Sequence, residues 1–216
     1  MNQCFGSKST PANSTNIFLP HSMTELSITY KEIYTVSQTK LLGMIVNNTL
    51  IWDANTKNLV QRANSRLRLL QKLVTFSVPV EYLINIYILY IRSIVEQSCQ
   101  VWHSSLTLEN VQDLERIQKN ALKIILQEDY QNNGNALNLT GLKPLFKRRN
   151  ELCIRFAKAC VKNDQMKSVF PPNPTSFGVK TRNREKFEVV KCKTMRFQDS
   201  AIPFMQNLHK KIMKRK

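Results

Sequence analysis

Glycine is scarce in this chain, with 5 among 216 residues. No GxxxxGK[ST] or GxGxxG stretch occurs, which excludes the glycine-rich loops that let backbone approach a nucleotide phosphate. HExxH and GxSxG are missing too. The five aspartates, Asp53, Asp113, Asp129, Asp164 and Asp199, stand apart from one another. Paired carboxylates for two-metal chemistry are therefore not legible. The three histidines, His21, His103 and His209, have no convincing catalytic partners nearby in sequence. The five cysteines form no CxxC pair. Cys99-x3-His103 is half of a zinc pattern with no second half downstream. Cys153 and Cys160, two helical turns apart on one face, read as packing residues with reduced thiols. No secretory leader opens the chain, and no apolar run reaches bilayer length. These absences leave no candidate for a catalytic residue, a cofactor or a metal ligand, and no membrane partner. They point to an intracellular protein, nuclear or cytoplasmic.

What the chain has in excess is positive charge. Its formal charge is +17, with 32 basic against 15 acidic side chains. From Gly141 to Lys216 there are 20 basic and 5 acidic residues, whereas residues 1–140 hold 12 and 10. The front is close to neutral, and the field belongs to the back third. Such a field attracts polyanions, nucleic acid foremost.

The longest apolar stretch runs from Val80 to Val95. Tyr82, Leu83, Ile86, Tyr87, Tyr90, Ile91, Ile94 and Val95 fall at helical spacing, and Ile84, Ile88 and Leu89 fill much of the other side. That pattern predicts a core helix buried on several sides. Pro79 precedes it as a first-turn proline. Thr107 predicts an N-cap for a second helix, with Val111, Leu114, Ile117, Ala121, Ile124 and Ile125 as its apolar stripe. Glu115 and Lys119 are spaced for an ion pair. These two helices are expected to pack on each other.

Residues 1–24 read as an irregular leader, rich in Ser, Thr, Asn and Pro. Residues 25–52 read as β structure, with alternation from Glu25 to Val36. A better hairpin signal runs from Lys40 to Trp52, turning at Asn47-Asn48. Asp53 is expected to cap a helix from about Ala54 to Val74, with Leu59, Val60, Ala63, Leu67 and Leu70 inward. Arg62, Arg66, Arg68 and Lys72 then form its solvated side. Gln131 to Asn135 read as a turn-rich loop, followed by Leu139, Leu142 and Leu145 around Gly141 and Pro144. A further helix should follow Lys147-Arg148-Arg149 to about Val161, closing a helical domain over residues 53–165. Residues 166–216 read as a basic, partly irregular tail. The fold class expected is mainly α, four to five helices with a small N-terminal hairpin.

Bases and aromatics interleave in the tail, including Phe177, Arg182, Arg184, Phe187, Lys191, Lys193, Arg196 and Phe197. Cations neutralise phosphates and rings stack on unpaired bases, so the mixture suits single strands. The candidate contacts are Lys147, Arg148, Arg149, Arg155, Lys158, Arg182, Arg184, Lys191, Lys193 and Arg196. Lys147 to Arg149 lead this set because a helix start also offers free N–H groups to an anion.

Several blocks occur in a set order: KLLGMIVNNTLIWD from Lys40, ANSRLRLL from Ala63, IRSIVEQSCQVWHSSL from Ile91 and LERIQKNALKII from Leu114. Leu139-x-Gly-Leu-x-Pro-Leu145, RRNELC from Arg148 and FPP from Phe170 continue the series. From about Ser27 to Pro203, this resembles the region downstream of the catalytic palm in reverse transcriptases of non-LTR (LINE, jockey-like) retrotransposons. The resemblance implies a thumb-like helical domain after a late palm hairpin. By the same resemblance Leu42, Gly43 and Trp52 match the hairpin near which such enzymes hold the primer end. The Tyr-x-Asp-Asp turn of that family, and hence its Mg²⁺ site, has no counterpart here. The implied reading is a truncated, catalytically incomplete RNA-directed DNA polymerase whose partners are RNA or DNA, or a palm-containing chain. Separately, Lys40 to Lys72 is similar to a segment labelled as the N-terminal part of AlkB-type alkylated-DNA-repair homologues. That alternative implies a domain attached to dioxygenase or methyltransferase activity elsewhere. The His-x-Asp…His iron set of that family is absent.

Overall fold

The structure is a computed structural model that describes residues 36–166, 168–171 and 189–213. The leader and most of the alternating stretch from Glu25 lie outside these residues, as do Phe177, Arg182, Arg184 and Phe187. The described chain is mainly α-helical and carries a small two-stranded hairpin near its front. From Val36 on, the described elements belong to one compact unit.

Strands β1 (Gln38–Leu41) and β2 (Met44–Asn47) are antiparallel, with Leu41 opposite Met44 and Gln38 opposite Asn47. The turn is therefore Leu42-Gly43, not Asn47-Asn48. Both turn residues have positive φ, 48° and 83°, the pattern that matches the twist of a tight hairpin. Asn47 instead uses its side chain to accept a hydrogen bond from Ile51 N–H at 2.8 Å. That contact shapes the exit from β2, and Leu50 to Trp52 do not form a returning strand. Ile45 N–H points away from β1, and the buried Asn55 side chain accepts from it at 3.1 Å.

Helix α1 (Asp53–Thr75) buries Leu59, Ala63, Leu67 and Leu70, four residues at spacings of four, four and three. Asp53 is its first residue rather than its cap, and Trp52 at the cap position offers no side-chain bond. The Asp53 carboxylate takes a hydrogen bond from Asn110 at 2.6 Å. It also lies where a negative charge suits the helix dipole.

The central helix is built in three consecutive pieces: α2 (Val80–Ile86), a π-helical segment (Tyr87–Arg92) and α3 (Ser93–Glu96). Pro79 sits at the cap position, one residue before the expected first turn. The expectation of burial on several sides holds only in part, with Ile84, Ile86 and Ile88 half-buried against the main core. Leu83, Tyr87, Ile91, Ile94 and Val95 are buried, while Tyr82, Leu89 and Tyr90 are exposed. A π turn inserts an extra residue per turn, so the apolar positions cannot all be kept on one covered face. Left-handed Ser98 (φ 50°) ends this helix. The short α4 (Cys99–Trp102) follows, with the Trp102 indole donating to the Gln97 carbonyl at 2.9 Å.

Thr107 caps α5 (Leu108–Leu126) as expected, its hydroxyl accepting from Asn110 N–H at 3.2 Å. Leu114, Ile117, Ala121 and Ile125 are buried, with Val111 and Ile124 half-buried. The main partner of α5 is α1 rather than the central helix, which it meets chiefly at α2. The turn-rich loop expected over Gln131 to Asn135 gives way at its third residue to α6 (Asn133–Thr140). Asn132 caps it by accepting from Asn135 N–H at 2.9 Å, and Gly141 closes it at φ 65°. Side-chain capping by Asn and a left-handed Gly suffice to end-stop a short helix.

Helix α7 (Leu145–Lys162) carries a second core with α9 (Ala201–Met213), in which Cys153, Ala157, Cys160, Phe170 and Met205 pack together. The tail is therefore not wholly irregular. After α8 (Met195–Gln198), capped by Thr194, its helix docks on α7. Buried Gln206 fastens it, accepting from Val190 N–H and donating to the Val169 carbonyl, both at 2.9 Å. Pro203 falls in the first turn of α9, where its missing N–H costs nothing.

Candidate nucleic-acid interface

The candidate contacts on α7 divide by helical geometry. At 3.6 residues per turn, Lys147, Arg155, Lys158 and Lys162 fall within an arc of about 80°, and all four are exposed. The buried set Leu145, Arg149, Cys153, Ala157 and Cys160 occupies the opposite face. The one acid within the basic stripe, Glu151, is engaged by Lys143 at 2.6 Å. That contact is first among the causes holding its carboxyl below the usual range. Lys147 to Lys162 thus presents four cations along about 22 Å of helix.

Arg148 and Arg149 do not join this stripe. Arg148 reaches the Glu96 carboxylate at 3.1 Å, which Arg92 also approaches at 3.5 Å. Arg149 is 0% exposed. Its Nε donates to His103 Nδ1 at 3.2 Å, the Trp102 ring lies 6.0 Å from its guanidinium carbon, and Glu115 stands 3.6 Å away. The helix start is likewise not free for an outside anion. Glu115 accepts from the N–H groups of Leu145 and Phe146, and Gln118 accepts a second contact from Leu145 at 3.1 Å. Glu115 therefore serves as a cap reaching over from α5, and the sequence-neighbour pairing with Lys119 does not form.

Burial first, and the nearby guanidinium second, push the His103 pKa down to about 4. A neutral ring with Nδ1 as acceptor and Nε2–H directed at Asn150, 3.2 Å away, satisfies both contacts. Burial also pushes the Tyr87 phenol up. Cys99 is raised first by its contact with the Cys153 thiol and then by burial. These groups are interior, and among the described residues no three His, Cys, Asp or Glu side chains are grouped to hold a metal ion.

Lys191, Lys193 and Arg196 are exposed before and within α8, and the Arg196 guanidinium donates to the Thr49 carbonyl. Arg182 and Arg184 lie outside the described residues. At the hairpin, Leu42 is 84% exposed while Trp52 is buried beside Met44 in the main core. Gln97 ties the turn to α1, donating to the Leu42 carbonyl and accepting from Arg62, both at 3.2 Å.

Sequence reasoning missed a second basic surface. Between the outer sides of α1 and α5 lie two adjoining depressions that share Asn64 and Arg68. The spacing of Lys57, Gln61, Asn64, Arg68 and Gln71 puts them on one side of α1, a signal present in the sequence but masked by the general charge of that helix. No helix among the described residues is long and apolar enough to cross a membrane. No family model, curated protein or solved structure matches the chain.

Proposed function

We propose that this chain binds nucleic-acid backbones without sequence specificity through the outer stripe of α7, and that it is the non-catalytic, post-palm portion of a polymerase of the non-LTR retrotransposon kind. One observation carries the binding: Lys147, Arg155, Lys158 and Lys162 share a solvent face whose single acid is already neutralised. Like charges so arranged repel one another, and a phosphate strand relieves that repulsion while releasing counterions. Lys191 and Lys193 are exposed as well. The ordered blocks from Lys40 to Pro172 support the polymerase origin, and a chain of this kind has a positioning role rather than a chemical one.

The test is the salt dependence of binding to single-stranded RNA. Replacing Lys147, Arg155 and Lys158 with Gln should weaken binding and make the log–log salt slope shallower by about 2, at roughly 0.7 per phosphate contact. An unchanged slope reduces the stripe to solvated surface. In the same preparation, primer-template with Mg²⁺ and nucleotides should show no extension. Template-dependent incorporation that survives removal of contaminants overturns the non-catalytic reading.

A further inference from the structure

The trough between α1 and α5 holds groups that a purely structural helix pair does not need. Lys57 and Arg68 line it with no ion pair or hydrogen bond among the described residues, and Lys123 stands at its far end, 5.7 Å from the Tyr130 ring. The acid at its near end, Asp113, is taken by Arg116 at 2.9 Å. Four side-chain amides, Gln61, Asn64, Gln71 and Asn120, also face this space, and none has a side-chain hydrogen-bond partner among the described residues. Amides are the groups that read base edges, because each offers a donor and an acceptor side by side. Cations at both ends with free amides between them match a phosphate–base–phosphate repeat.

We infer that the α1–α5 trough is a second, base-sensing site for one single strand of nucleic acid, with Lys57, Arg68 and Lys123 on phosphates and Asn64 and Asn120 on base edges. The inference rests on the reading that the partner is nucleic acid, but it concerns different residues and a different property. The α7 stripe supplies affinity alone, whereas the trough supplies preference among bases. Two depressions in series, meeting at Asn64 and Arg68, suit successive nucleotides better than one compact ligand.

The experiment measures anisotropy of labelled oligo(U), oligo(A) and oligo(C) of equal length, using the full chain. The wild type should separate its best and worst homopolymer by about tenfold, the scale of one good amide–base contact. Asn64→Ala with Asn120→Ala should shrink the spread to within about twofold and leave the salt slope nearly intact, since neither residue is charged. Lys57→Gln with Arg68→Gln should make the slope shallower by about 1.4. The Lys147, Arg155 and Lys158 triple variant should lower affinity while keeping the spread. Salt-dependent binding with no spread in the wild type, or a spread that survives the amide variant, overturns this inference and leaves the proposed function standing. Failure of the wild type to bind any strand overturns both. If the amide variant does not fold, ultraviolet crosslinking of oligo(U) to the wild type decides. Crosslinks within residues 57–71 or 113–124 support the trough, and crosslinks confined to other segments overturn it.

Discussion

Arg149 Nε and His103 Nδ1 meet at 3.2 Å inside the protein, a buried guanidinium donating to a buried imidazole. The pair joins α7 to the 3-10 turn after α4 (His103–Ser105). It works only while the imidazole is neutral, because a protonated ring has no lone pair to accept and adds a like charge. Arg149 has little other compensation: its two terminal nitrogens are buried without hydrogen bonds, and Glu115 is 3.6 Å distant with both oxygens engaged by backbone.

The first prediction is acid lability. Burial holds the folded His103 pKa down at about 4, below the ordinary imidazole value of 6.5. The unfolded chain therefore binds the extra proton first as pH falls. The stabilisation is complete above about pH 6.5 and is lost progressively as pH drops toward 4, by up to roughly 3 kcal/mol. Urea unfolding of wild type and His103→Gln at pH 7.5, 5.5 and 4.5 checks this. Parallel pH dependence in the two proteins rules it out.

A second prediction separates the volume of Arg149 from its charge. Arg149→Ala leaves a cavity beside Trp102 and Cys153 and should cost about 3–5 kcal/mol. Arg149→Met keeps much of the volume and removes a poorly compensated charge, so it should lie within about 1 kcal/mol of wild type. Equal losses in both variants, by denaturant titration, would show that the charge itself stabilises the fold.

Ile91 offers a third test. It is wholly buried in the π-helical segment, in the core that also holds Tyr87, Ile94 and Ile117. Ile91→Ala should cost about 2–5 kcal/mol, and a value under about 1 kcal/mol would place it outside the core.

Gly43 gives the fourth. A Cβ there would lie 2.5 Å from the Gln97 amide nitrogen, at a φ of +83°. Gly43→Ala should displace Gln97, break its bond to the Leu42 carbonyl and cost roughly 1–2 kcal/mol. Gln97→Ala should lose the bond without the clash. If the two variants melt together with wild type, the turn is not anchored by Gln97.

What the sequence determined by itself was local. The Thr107 cap, the α5 stripe, the inward residues of α1 and the packing role of Cys153 and Cys160 all follow from side chains within a few turns of one another. Arg149 was legible in the same terms, since it stands four residues after Leu145 and four before Cys153. The run of three bases hid that spacing. Tertiary structure decided the rest. Residues 147 to 149 point about 100° apart on a helix, and the fold assigned each direction: Lys147 to solvent, Arg148 to Glu96 and Arg149 to His103. The hairpin turn went to Leu42-Gly43 because Gln97 meets it from across the fold, while Asn47 was spent on Ile51 N–H. Which face of the central helix stays covered, and which amides of α1 and α5 share a trough, depend on neighbours remote in sequence. A charge or an amide has no preferred side until another helix gives it one.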